Sequence, residues 1–151
     1  METLKKRIID TAIERQRQVI GDFRERVKDL MATDGNVNEG EYDNHQQFKS
    51  QRMTEVDLLN EELEIANREF AELLKMRGFP EHKHKCVAYG SVVKTDRKTF
   101  FVSAGIEDFY VDEIPLFGVS VNEPVYKSMK GKKVGESFTC GEHKYKILEI
   151  W

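Results

Sequence analysis

The chain has 151 residues, of which 34% are charged and 39% hydrophobic, and a net charge of −3. That length suits one ordinary domain or two small ones. The net charge excludes a protein held to nucleic acid by bulk positive charge, and no apolar run approaches the ~20 residues that cross a bilayer, so no membrane partner is expected.

The first residues, Met1-Glu2-Thr3-Leu4-Lys5-Lys6-Arg7, enter a helical pattern with no apolar signal-peptide core. Cys86 and Cys140 are the only cysteines, which fits free thiols in a reducing cytoplasm. Charge is unevenly spread. Residues 1–31 carry +2, residues 34–43 carry −4 with no base, residues 55–72 carry −6, and the chain from Pro80 onward carries +1.

Residues 3–31 place Ile9, Ile13, Ile20, Phe23, Val27 and Leu30 on a heptad-like seam, with Gln16 filling the one gap. Asp34-Gly35-Asn36 is turn chemistry, because Gly and Asn tolerate positive φ. Residues 41–76 repeat the seam through Val56, Leu59, Leu63, Ala66, Phe70 and Leu73. Two matched seams joined by a short polar turn predict an antiparallel α-helical hairpin. An arm of ~30 residues spans ~45 Å, so the hairpin is expected to protrude. Its turn, Gly35-Asn36-Val37-Asn38-Glu39-Gly40-Glu41-Tyr42, is acidic and has no apolar face to bury. Such a tip suits a probe that enters a partner's cavity; the plainer alternative is a solvated loop whose carboxylates favour a helix N-terminus.

Arg77-Gly78-Phe79-Pro80 stops the second helix. His82-Lys83-His84-Lys85-Cys86 alternates as a strand does, but no second ligand cluster follows at zinc-like spacing, so it reads as a linker entering a strand. Cys86–Thr95 and Thr99–Ala104 are predicted strands joined at Asp96-Arg97-Lys98, followed by Phe109–Val111 and Leu116–Val121. Pro124–Met129 reads as a short helix capped by Asn122 and stopped by Gly131. Ser137–Cys140 and Lys144–Ile150 close as a hairpin around Gly141-Glu142. The fold class is therefore α+β, with a coiled-coil hairpin at residues 1–79 and a small α+β domain at residues 80–151.

Four pieces of the second half follow a known order and spacing: Gly90-Ser91-Val92-Val93, Val119-Ser120-Val121-Asn122-Glu123-Pro124, Gly131-Lys132-Lys133-Val134-Gly135-Glu136 and Tyr145-Lys146-Ile147-Leu148-Glu149-Ile150. With the hairpin ahead of them, they resemble the Gre family of bacterial transcript-cleavage factors, GreA and GreB, over nearly the whole chain. The resemblance implies an FKBP-like fold for residues 80–151, without proline-isomerase activity. It implies docking on RNA polymerase, with Ser120, Asn122, Glu123 and Pro124 as partner-binding residues, and a role in transcription elongation, with the DNA binding that goes with such complexes. Glu123 departs from the family's usual Ser.

The tip is one residue shorter than the family's. Glu39 stands at its second acid, and Asn36 stands where its first acid, an Asp, belongs. The resemblance implies that Glu39, Glu41 and Asp43 act inside the polymerase active site, with Glu39 and Glu41 helping to hold a Mg²⁺ jointly with the polymerase. The polymerase then cuts the backtracked RNA. The chain is expected to be a monomer, not itself an enzyme, and to have no cofactor of its own. Arg17, Arg24 and Lys28 fall on one stripe of the first helix. Either they contact the nascent RNA 3′ end or the polymerase, or they pair with the acids of residues 55–72. Two alternatives stand beside stimulated cleavage: a regulator of the same fold that occupies the channel without promoting cleavage, and a coiled-coil adaptor or chaperone-like module unrelated to polymerase.

Overall fold

The computed structural model of the protein describes residues 3–32, 42–80 and 82–151, with side chains of the second helix described from Met53 onward. Helix α1 spans Leu4–Ala32 and helix α2 spans Tyr42–Arg77. There follow β1 (Val92–Thr95), β2 (Thr99–Ser103), β3 (Phe109–Val111), β4 (Ile114–Ser120), α3 (Pro124–Met129), β5 (Ser137–Cys140) and β6 (His143–Ile150). The α+β class and the order, helical hairpin then sheet, are as the sequence predicts.

Each helix begins or ends for a local reason. The Thr3 hydroxyl accepts the Lys6 N–H at 3.2 Å, satisfying one of the first-turn donors that have no intrahelical partner. α2 closes on two tight bonds, Gly78 N–H to Lys75 O and Phe79 N–H to Met76 O, both 3.1 Å. Pro80 then prevents continuation.

The six strands form one mixed sheet in the order β3-β4-β2-β1-β6-β5. Only β2 and β4 run parallel, from Thr99 opposite Leu116 to Ser103 opposite Ser120. The strand period of two divides the side chains between faces. Val92, Phe101, Phe109, Val111 and Leu116 join one buried cluster, while Val93, Phe100, Val102, Val119, Phe138, Tyr145 and Ile147 join another. On the second face α3 supplies Tyr126 and Met129. There Phe138 stacks on Tyr145 at 5.1 Å, and Phe100 meets Tyr145 edge-on at 5.7 Å.

The first face is closed by the helices. Ile8, Ala12, Ile13, Leu73 and Met76 are buried in the same cluster as Phe101. The chain falls into two compact units: one is Met1–Gln16 with Glu69–Trp151, the other Arg17–Arg68. In the second unit the predicted seam is realised, with Ile20, Val56 and Ala66 buried and Phe23, Val27, Leu30, Leu59 and Leu63 half-buried.

The first strand is shorter than its sequence pattern. Residues Cys86–Ser91 alternate but make no ladder. Val87 exchanges backbone hydrogen bonds with Gly131 and Lys132, and Ser91 turns back on Ala88 through both its backbone N–H and its hydroxyl. β4 begins two residues earlier than predicted, because Asp112-Glu113 forms a two-residue turn that pairs Val111 with Ile114.

Both turn residues adopt positive φ, 51° at Asp112 and 67° at Glu113. This is the geometry that matches strand twist in a two-residue hairpin, and it favours Asn or Asp followed by Gly. Asp tolerates it; Glu113 is held there against its Cβ. Glu113→Gly is therefore expected to stabilise the fold by about 0.5–1 kcal/mol, the left-handed penalty less the extra chain entropy of glycine. Urea unfolding of the two proteins measures it, and Glu113→Val should shift the midpoint the other way.

His84 gives a second expectation. Burial, then the Lys5 ammonium, then His82, lower its pKa from 6.5 to about 4. The unfolded chain thus takes up this proton first as pH falls, and the stability present above pH 6.5 is lost toward pH 4. His84→Gln removes that slope. Denaturation midpoints at pH 7 and pH 4.5 should differ less in the variant than in the parent protein.

Candidate functional site

The expected partner-binding residues lie together where β4 hands over to α3. Ser120 ends β4, and the Glu123 N–H bonds to its carbonyl at 3.1 Å, closing a tight turn. Inside the turn the Asn122 N–H donates to Ser120 Oγ at 3.3 Å. Pro124 then opens α3, where its missing N–H costs nothing.

The cap is Glu123, not the expected Asn122. Glu123 has extended dihedrals (φ −78°, ψ 146°) and its carbonyl accepts the Lys127 N–H at 3.2 Å. Its carboxylate makes no capping bond to the helix. Instead Oε1 bends back toward the Ser120 N–H at 3.4 Å. A serine is too short for that route and caps the helix directly. The Glu123 carboxylate therefore lies at the strand end and not at the helix end, and Asn122 is exposed at the corner.

Two glycines set this corner. A Cβ on Gly118 would stand 2.5 Å from the Ile106 side chain and 2.9 Å from its carbonyl oxygen. A Cβ on Gly105 would stand 2.8 Å from Glu123 Oε1. The segment leaving β2 therefore crosses directly over β4 and under the Glu123 carboxylate. An isolated glycine in a strand pattern signals such a close approach, and Gly118 carries that signal in the sequence.

The basic stripe lies on α1 in the second unit. Arg17, Arg24 and Lys28 are all exposed. Among the described residues, neither Arg24 nor Lys28 pairs with the acids of residues 55–72. Three ion pairs lie in the first unit: Arg7 with Asp112, Arg15 with Glu107 at 2.8 Å, and Arg77 with Asp10 at 3.9 Å. Exposed pairs of this kind contribute little each.

Asn36, Glu39 and Glu41 lie outside the described residues, and Asp43 is described only as the second residue of α2. Among the described residues, no three His, Cys, Asp or Glu side chains gather to hold a metal. His82 and His84 approach with ring centroids 4.5 Å apart, and Cys86 and Cys140 are half-buried free thiols. No described helix is long and apolar enough to cross a membrane.

No family model matches the chain, and no curated protein matches it. Two solved structures are similar to it in part. The crystal structure of GreA factor homolog 1 (Gfh1) of Thermus thermophilus has 15% identity and a TM-score of 0.37, covering 97% of this chain and 94% of that one. A structure of the transcription factor Gfh1 has 18% identity and a TM-score of 0.32, covering 93% of each chain. At these values neither likeness bears on function.

Proposed function

We propose that this chain is a transcription elongation factor that works through RNA polymerase, with the acidic hairpin tip reaching the polymerase's catalytic centre through its secondary channel. The observation that carries the proposal is the ordered series of Gre-like motifs from Gly90 to Ile150, preceded by an α-helical hairpin. The series also has a physical logic. Gly90, Gly131 and Gly135 have φ of 90°, 76° and 90°, and Ser91 is fully buried at a turn. These motif residues sit where the backbone needs them, so the pattern describes a fold and not a chance run.

In this proposal the β4–α3 corner docks on the polymerase and the tip acids act in its active site. The exposed Asn122 is the most direct probe. Asn122→Arg adds bulk and charge at the docking surface without touching the buried clusters. Polymerase affinity is expected to fall about tenfold, equivalent to about 1.4 kcal/mol, while the thermal midpoint stays put. Biolayer interferometry on immobilised polymerase, with a parallel melting curve, reads both. Unchanged affinity in the variant would remove this corner from the interface.

The mechanism turns on the tip. A carboxylate near a shared Mg²⁺ in a water-poor channel interacts far more strongly than in bulk water. Glu39 is proposed as the principal acid, with Glu41 or Asp43 as the second. Asn36 offers a carbonyl but no charge where an acid belongs, and this favours a second reading: a regulator that occupies the channel without promoting cleavage. RNA 3′-end cleavage in backtracked elongation complexes, across a Mg²⁺ titration, separates the two. A cleavage factor loses activity on Glu39→Ala while still binding, and gains it on Asn36→Asp. A channel-occupying regulator binds, slows elongation, and stays inert in both variants. A protein that fails to bind polymerase at all belongs to the adaptor class.

A further inference from the structure

Between the first turns of α1 and the sheet lies a cavity of about 270 Å³, and all of its lining belongs to the first compact unit. The strand register traces its floor. Glu149 stands opposite Lys94, Lys94 opposite Thr99, and Thr99 opposite Leu116, one row across β6, β1, β2 and β4. Residues paired in this way share a face. The period of two puts Lys94 on the face of Val92, the face that α1 covers. In the adjoining row Val92 and Phe101 are fully buried; in this row Lys94 is exposed, and Thr99 and Glu149 are half-buried. The helix cover therefore runs out here, and the sheet face opens to water.

The walls are hydrocarbon: Leu4 and Ile8 from α1, Val111 and Ile114 from the β3–β4 hairpin, and Trp151. Leu4, Ile114 and Trp151 keep part of their surface exposed, which is apolar area a ligand would remove from water. Charge does not select an ion. Among the described lining residues the charged ones are Lys94 and Glu149, one of each sign and directly opposed across the ladder. An ion gains at one what it loses at the other, and its own transfer next to hydrocarbon is costly. Thr99, between Lys94 and Leu116 in the row, supplies a neutral hydroxyl. A dry apolar cavity of about 150 Å³ holds one benzene ring, so the volume here takes a ring with a short substituent.

We infer that this cavity binds a small uncharged molecule with one ring and one neutral polar group, the ring among Leu4, Ile8, Val111 and Trp151 and the polar group toward Thr99. The inference goes beyond the polymerase proposal and holds or fails without it.

The test uses the full-length chain with benzyl alcohol as probe. Trp151 is the chain's single tryptophan, so its indole N–H signal in NMR and its fluorescence both report on the cavity without ambiguity. Benzyl alcohol is expected to shift that signal and the methyl signals of Ile8 and Ile114 saturably, with one Kd in the millimolar range. Benzoate and benzylammonium carry the same ring with a charge of either sign, and each should bind at least about fivefold more weakly. Ile114→Phe fills the cavity from one wall and Leu4→Phe from another. Each should weaken benzyl alcohol at least about fivefold while methyl signals distant from the cavity stay in place. Shifts that do not saturate would overturn the inference. So would either ion binding as tightly as benzyl alcohol, or unchanged binding in a filled variant that keeps its fold.

Discussion

The sheet face around Phe101 has to be kept from water, and the ends of two long helices do it. Phe101, Ala12 and Leu73 each have no measurable exposure. Burial of large apolar side chains contributes about 1.5–3 kcal/mol each, more than any surface pair on this molecule can. Hence the outer ends of the two helices belong with the sheet. Residues that look in sequence like coiled-coil positions, such as Ile13 and Leu73, serve the sheet. The other face needs its own cover and finds it in the short α3, whose Met129 is likewise fully buried.

From this two-faced sheet the rest follows. The parallel β2–β4 pair obliges the chain to leave β2, make the β3 edge and return, and its path over Gly118 is possible only because that residue has no side chain. The same crossing brings Gly105 under Glu123, fixing the corner from which α3 departs. A surface turn is thereby set by two close approaches, one at Gly118 and one at Gly105.

Much of the architecture was legible beforehand, for identifiable reasons. Both helices announce themselves through steps of three and four, and the closing hairpin through Gly141-Glu142; Gly141 does take a positive φ of 63°. The stretch Cys86–Ser91 misled, because alternation records only that side chains face opposite ways. Whether a ladder partner exists depends on residues 40 or more positions away, such as Gly131 and Lys132, which Val87 meets instead. The cap at Glu123 was missed because short-range rules rank Asn above Glu, and the Ser120 amide that draws the carboxylate back is a feature of the folded turn. The tip acids Glu39 and Glu41 lie outside the described residues, so the sequence is their whole basis.

The β1–β6 pairing has a consequence for the order of folding. Val92 and Trp151 exchange both backbone hydrogen bonds, and Trp151 packs against the same cluster as Leu4. Contacts between such distant parts of the chain form late, because the entropy of closing the long loop is lost before the contact stabilises anything. Ile8, Ala12 and Ile13 therefore gain their cover only when the sheet they pack on has assembled, although the helix that carries them forms from local contacts alone.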